Sequence, residues 1–125
     1  MTGSAQDALT EKIIGCAIEV HRRLGPGLLE SVYESALCIE LEHCGLRFER
    51  QAPLQLTYRD HPIGDLRMDI VVEKSVILEL KSVERMDPLF EAQLLTYLRL
   101  SGIKTGLLIN FNSRLLHQGI KRLIV

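Results

Sequence analysis

The sequence predicts an α/β fold in which helices flank a mixed central β-sheet, with residues 1–125 forming one domain. Three observations support this. Apolar residues follow helical spacing in the first third of the chain, a period of two replaces it after Gly45, and a second helical pattern then precedes a strongly apolar strand. A chain of this length supports one hydrophobic core. We therefore expect helix, helix, three or four strands, helix and strand.

Two helices are predicted before Gly45. Residues 6–23 carry apolar side chains at helical spacing, and Gly25-Pro26-Gly27 interrupts that pattern. A second helix is expected over residues 28–44, because Gly45 is a suitable C-terminal stop.

Period-two alternation then predicts short strands at residues 46–50, 54–58, 66–72 and 76–81, with turns at residues 59–62 and 73–75. Asp87 and Pro88 suit the start of a third helix, which should end near Ser101. Residues 105–111 read as a buried strand because of their apolar composition. The tail, residues 115–125, is compatible with a short strand or a helix.

Composition excludes several classes of protein. No apolar run approaches the roughly 18 residues of a membrane span, and the N-terminus lacks the basic-then-apolar order of a signal peptide. Cys16, Cys38 and Cys44 lack metal-site spacing, so we expect buried thiols in a cytoplasmic protein. The net charge of −1 argues against a basic coat that binds DNA non-specifically, but metal-assisted phosphate binding remains open.

The polar residues most indicative of function lie in the middle of the chain. Residues two apart share a face of a strand, so Glu79 and Lys81 point the same way. A tight turn pairs their strand with the one carrying Asp69, which brings the two acids within reach of one divalent cation. Hard oxygen ligands favour Mg²⁺, with Mn²⁺ as a substitute, and the backbone carbonyl of Leu80 is a further candidate ligand.

Three further side chains complete the predicted catalytic group. Lys81 can position a metal-bound water and stabilise negative charge on a phosphate. Gln93 and Tyr97 are four residues apart on a helix and therefore share a face. An amide and a phenol can orient the lysine, the water or a phosphate oxygen without adding charge.

Each piece also has a purely structural interpretation. Asp69 with Arg67 fits an edge-strand ion pair, and Glu79 with Lys81 fits a solvated strand face. The helix pair alone fits a surface amide and a core aromatic. The combination favours function, because charged residues interrupt an apolar run in which unpaired charge is costly.

These residues resemble known motifs. Asp69 followed by Glu79-x-Lys81 resembles the signature of the PD-(D/E)xK nuclease superfamily, and Gln93-xxx-Tyr97 resembles the extra motif of its RecB-like branch. The segment 27–33 is similar to the GxxExxY pattern of a small family in that superfamily. Met68 stands where many members have proline.

The resemblance implies a restriction-endonuclease-like core with a four-stranded mixed sheet. It implies Mg²⁺-dependent hydrolysis of DNA, with RNA less favoured, in which Asp69 and Glu79 hold the metal and Lys81 is catalytic. Glu30 matches the acid of the first core helix that helps to hold the metal or its water. Glu30 and Glu34 also fit plain solvent-exposed charge.

Two other functions remain open. The chain suits a non-catalytic module that binds nucleic acid or protein on the same fold. It also suits a small subunit that docks on a larger DNA-processing partner or forms a homodimer. Scattered basic residues are a weak indication of phosphate contacts; they are Arg22, Arg23, Arg47, Arg50, Arg114, Lys121 and Arg122.

Overall fold

The computed structural model describes residues 5–125. The elements in chain order are α1 (Ala5–Leu24), α2 (Glu30–His43), β1 (Phe48–Tyr58), β2 (His61–Val72), β3 (Val76–Lys81), α3 (Pro88–Ser101), β4 (Thr105–Asn110), a 3₁₀ turn (Leu116–Gly119) and β5 (Ile120–Ile124). No helix in this part of the chain is long and apolar enough to cross a membrane.

The strands form one mixed sheet in the order β1-β2-β3-β4-β5. Neighbours are antiparallel except β3 and β4, which run parallel because α3 crosses between them. Apolar residues of α1 and α2 pack on one face of the sheet, and those of α3 pack on the other. This arrangement is the predicted mixed α/β architecture.

The strands differ from the predicted ones in number and length. Five strands form where the resemblance implied a four-stranded sheet: the predicted segments 46–50 and 54–58 belong to the single strand β1, and the tail adds β5 after a 3₁₀ turn. The hairpin of β1 and β2 is also longer than expected, because Arg59 and Asp60 alone make its turn, both with left-handed φ of 47° and 66°. His61 and Pro62 therefore belong to β2, where proline is tolerated near the strand's start.

Side-chain alternation divides β3 between the two layers as predicted. Leu78 and Leu80 enter the core beneath α1 and α2, whereas Ile77 enters the core beneath α3. Glu79 and Lys81 share the parity of Ile77 and so lie on the α3 face. Leu94, Leu95 and Leu98 of α3 pack in that same layer.

Alternation breaks in β2, because residues two apart in a regular strand share a face, and Met68 and Ile70 do not. Met68 packs in the α3-side core, while Ile70 packs on the α1 and α2 side. The break coincides with an irregularity across the ladder, where Gln51 of β1, opposite Asp69, has a left-handed φ of 53°. Such a residue rotates its own strand locally, so Ala52, which follows it, packs in the α3-side core together with its partner Met68.

Candidate active site

The ladder between β2 and β3 opens at the two predicted acids. Its last regular pair is Ile70 with Leu78. Beyond that pair, the backbone N–H groups donate to carboxylate oxygens instead of to backbone carbonyls. The Asp69 N–H donates to Glu79 Oε1 at 3.1 Å, and the Leu80 N–H donates to Asp69 Oδ2 at 2.8 Å. The two acidic side chains are thus wedged between the strands that carry them.

The acidic pair is poorly compensated. Glu79 is only 4% exposed. Burial, and then the charge of Asp69, raise the pKa of Glu79 to about 8. The pKa of Asp69 is also raised, first by burial and then by Glu34 and Glu30, against the lowering effect of its backbone hydrogen bond. None of the ion pairs within residues 5–125 includes either acid. The pair therefore requires a proton or an external cation.

Lys81 lies half-buried at the end of β3, on the same face as Glu79. Its Nζ sits 4.3 Å from the ring centroid of Phe90, a cation–π contact. The lysine charge lowers the pKa of both acids, but burial outweighs it. The ammonium thus rests on a neutral ring beside the carboxylates.

Phe90 was not predicted as a site residue. It lies in the first turn of α3, three residues before Gln93 and seven before Tyr97. This spacing places all three on one helix face. The same spacing in the sequence is the signal that could have identified Phe90.

Gln93 and Tyr97 contact each other directly. The Gln93 Nε2 donates to the Tyr97 hydroxyl at 2.9 Å. Tyr97 is buried, and its pKa is raised by burial and then by the charges of Glu79 and Asp69. Its ring therefore lies close to the acidic pair, while Gln93 is exposed at the outer end of the contact.

The segment that matches GxxExxY is fixed by its tyrosine. The Tyr33 hydroxyl donates to the Gly25 carbonyl at 2.5 Å and accepts from the Leu28 N–H at 3.1 Å. Its ring stacks on Phe111 with centroids 4.5 Å apart. These contacts fix the loop that leads into α2, whose first residue is Glu30.

The structure does not bring Glu30 into a cluster with Asp69 and Glu79. Glu30 is exposed, although its charge contributes to the raised pKa of Asp69. Within residues 5–125, no three His, Cys, Asp or Glu side chains converge as a ready metal cage.

Glu34 is buried, whereas one interpretation of the sequence was that its charge is exposed to solvent. Only 8% of the residue is exposed. Its Oε2 accepts from Arg50 Nε at 2.6 Å, and its Oε1 accepts from Gln51 Nε2 at 2.7 Å. The partners lie 16 and 17 residues away in the sequence, so no local pattern could have shown this burial.

Most of the basic residues considered for phosphate binding form ion pairs with acidic side chains. Arg22 and Arg23 pair with Glu19, and Arg50 pairs with Glu34. The remaining pairs are Lys121 with Glu91 and Arg122 with Asp7. These ion pairs weaken the case for a dedicated basic surface.

Comparison with known proteins assigns the chain to a family. A family model described as the PD-(D/E)XK nuclease superfamily matches residues 7–123. The chain belongs to this superfamily. No curated protein and no solved structure matches it. Members of the PD-(D/E)XK superfamily are usually nucleases and generally use divalent metals.

The residues of this PD-(D/E)XK domain fit a divalent cation. The acids supply hard oxygens, and burial, which raises the pKa of both, penalises their charged forms until a cation is bound. Because a residue's N–H and C=O point to the same side of a strand, the Leu80 carbonyl faces Asp69, as its N–H does. Mg²⁺ commonly takes one or two carboxylates and keeps several waters, so this sparse donor set is suitable.

Proposed function

We propose that this chain is a Mg²⁺-dependent nuclease that hydrolyses phosphodiester bonds of DNA, with RNA as the less favoured substrate. The observation that carries the proposal is the contact between half-buried Asp69 and buried Glu79, neither of which forms an ion pair within residues 5–125 and both of which share their sheet face with Lys81. A purely structural pair of acids would gain stability from a partner cation. Keeping two acids together without one is costly, and a site that takes up a metal explains the cost.

The metal ligands proposed are Asp69, Glu79 and the Leu80 carbonyl, with Glu30 acting through water. When bound, Mg²⁺ or Mn²⁺ supplies charge neutralisation at the phosphate and a more acidic water. Asp69 and Glu79 also hold each other's strands through backbone hydrogen bonds at 3.1 and 2.8 Å, so their carboxylates are oriented before any ligand arrives.

Lys81 is the proposed catalytic lysine. It orients the attacking water and stabilises the negative charge that develops on the phosphate. The ring of Phe90 supports the ammonium without neutralising it, since the contact involves no carboxylate. Tyr97, with Gln93 at its hydroxyl, adds a neutral polar wall beside the carboxylates. We also propose that the chain belongs to the RecB-like GxxExxY branch, on the match of residues 27–33 and of the Gln-xxx-Tyr pair.

The deciding experiment is a matrix of substrates and metals. Purified protein is incubated with end-labelled single-stranded DNA, double-stranded DNA and RNA, each with Mg²⁺, Mn²⁺ or EDTA. We expect cleavage of DNA with either metal and none with EDTA. Absence of cleavage in every combination, with nucleic acid still bound in a mobility-shift assay, would replace this proposal with the non-catalytic binding module.

A second experiment, sedimentation, addresses the oligomeric state and the DNA complex. Sedimentation of the free protein and of its mixture with DNA distinguishes a monomer from the homodimer. A domain of 125 residues offers little surface for enclosing a duplex, so a second copy or a larger DNA-processing partner would extend the binding surface.

A further inference from the structure

Two thiols meet outside the acidic site. Cys16 of α1 and Cys44, the C-cap residue of α2, have their Sγ atoms 3.4 Å apart. Cys16 is only 3% exposed, whereas Cys44 is half-buried. The proposed nuclease function uses neither sulfur.

The third cysteine provides an internal reference. Cys38 lies on α2, buried, and its pKa is raised by burial, with Arg50 and Glu34 as its charged neighbours. Among residues 5–125, the sulfur hydrogen bonds involve Cys16 and Cys44 and not Cys38. The chain therefore holds two thiols in contact and one apart from them.

We propose that Cys44 and Cys16 form an oxidisable dithiol, which a low-molecular-weight disulfide such as oxidised glutathione converts into a disulfide joining α1 to the end of α2. The proposal does not depend on the nuclease function. Disulfides in reducing compartments are typically transient and redox-sensing, which suits a pair of one half-buried and one buried thiol.

The chemistry proceeds in two exchanges. The Cys44 sulfur attacks one sulfur of oxidised glutathione, forms a mixed disulfide and releases one reduced glutathione. The Cys16 sulfur then attacks the Cys44 sulfur, the bond to glutathione breaks, and the departing thiolate takes the Cys16 proton. Two protein thiols are oxidised and one glutathione disulfide is reduced to two thiols.

Exposure fixes the order of these steps. Burial, followed by the hydrogen bond to Cys44, raises the pKa of Cys16 to about 12, so this thiol does not react first. It acts second because its partner is already in contact. The sulfurs need to approach by roughly 1.3 Å to reach bonding distance. Cys44 can supply that movement, since it ends a helix and precedes Gly45 with a left-handed φ of 75°.

The test treats the folded full-length chain with oxidised glutathione and counts free thiols after denaturation. We expect wild type to go from three free thiols to one, to lose the mass of two hydrogens, and to give a peptide linking Cys16 to Cys44. The link closes a loop between residues 28 apart and should raise the melting temperature by about 5–10 °C.

Three variants separate the steps. Cys38→Ser is the matched control and should form the same link as wild type. Cys16→Ser should stop at a stable glutathione adduct on Cys44, and Cys44→Ser should keep both remaining thiols. Circular dichroism verifies that each variant folds, and Cys16→Ala replaces Cys16→Ser if the buried hydroxyl prevents folding. A link that includes Cys38, or a wild type that retains three thiols or a lasting glutathione adduct, would overturn the proposal.

Discussion

Two buried glutamates mark two regions that handle negative charge differently. Glu34, at the junction of α2 and β1, is 8% exposed and accepts hydrogen bonds from Arg50 and Gln51. Glu79, between β2 and β3, is 4% exposed and has Asp69 as its close neighbour. One acid has a cationic partner, and the other is held against a second acid.

Under the proposed function, this difference distinguishes a structural acid, Glu34, from a functional one, Glu79. Removal of an acid that is paired with a cation leaves the cation without its partner, so the substitution lowers the stability of the fold. Neutralising one of two acids that repel each other removes that repulsion. The substitution should therefore increase the stability of the fold while it impairs function. Lys81 contacts the ring of Phe90 beside Asp69 and Glu79. Substitution of Lys81 therefore tests whether the repulsion between the two acids serves catalysis.

The largest effect is expected at Lys81. Lys81→Ala should lower the rate of DNA cleavage roughly 10²–10³-fold, because the variant lacks the cation that stabilises charge at the phosphate. Metal binding should survive, since Asp69 and Glu79 remain. Cleavage rate and Mn²⁺ affinity are measured on the same preparation. Lys74→Ala, in the exposed turn between β2 and β3, is the control. Equal cleavage by wild type and Lys81→Ala would refute the proposed mechanism.

The second prediction concerns pH. The pKa of Glu79 is raised to about 8 from an ordinary value of 4.5, so the folded state holds a proton that the unfolded state loses. Stability of the metal-free protein should therefore fall as pH rises from about 4.5 to about 8. Glu79→Gln should flatten this decline and be more stable than wild type above pH 8 by roughly 2 kcal/mol. Urea unfolding across this pH range checks it; a steeper decline in the variant would contradict it.

Glu34→Gln should lower the free energy of unfolding, in contrast to Glu79→Gln. The change leaves Arg50 without its carboxylate partner, and because Arg50 is partly exposed the loss should be only about 1–2 kcal/mol. The same urea titrations measure it at neutral pH. If Glu34→Gln and Glu79→Gln shifted stability in the same direction, the proposed contrast between the two acids would be wrong.

A smaller response is expected from metal added to the metal-free protein. Mg²⁺ or Mn²⁺ should raise the melting temperature by a few degrees, because a ligand that binds only the folded state stabilises it by mass action. Asp69→Asn should reduce this shift, as it removes one proposed ligand. Asp65→Asn, an exposed acid earlier in β2, is the control. An undiminished shift in Asp69→Asn would place the ion elsewhere.

The smallest predicted effect is at Phe90. Phe90→Leu removes the ring under Lys81 while keeping an apolar side chain, and should lower kcat about fivefold with KM little changed. Phe90→Tyr keeps the ring and should restore most of the rate. Leu89→Ala, which changes an exposed neighbour, controls for damage to the helix. Equal kcat for Leu and Tyr at position 90 would exclude a role for the ring.

Much of the site could be predicted because its geometry is local. The tight turn between β2 and β3 fixes their pairing, and this alone makes Asp69 and Glu79 neighbours. The bounds of α3 followed from its end signals, since the Asp87 side chain accepts a hydrogen bond from the Leu89 N–H and Gly102 adopts a left-handed φ of 76°.

What the sequence did not show depends on contacts between distant segments or on backbone strain. Met68 changes sides of the sheet where Gln51, on the neighbouring strand, takes a left-handed φ, and glutamine has no intrinsic preference that reveals such a conformation. The burial of Glu34 depends on Arg50 arriving from another element. The catalytic roles of the site residues remain predictions.

The acids of the site lie on one hairpin, ten residues apart in the chain. By contrast, β3 meets β4 only after the whole of α3 has crossed over. Hairpins close in microseconds, whereas pairing of distant strands is slower because more chain must be ordered first. Asp69 and Glu79 should therefore come together early in folding, before the parallel pairing is complete. Their repulsion then acts on the folding rate as well as on the finished protein, and acidic conditions should speed this step.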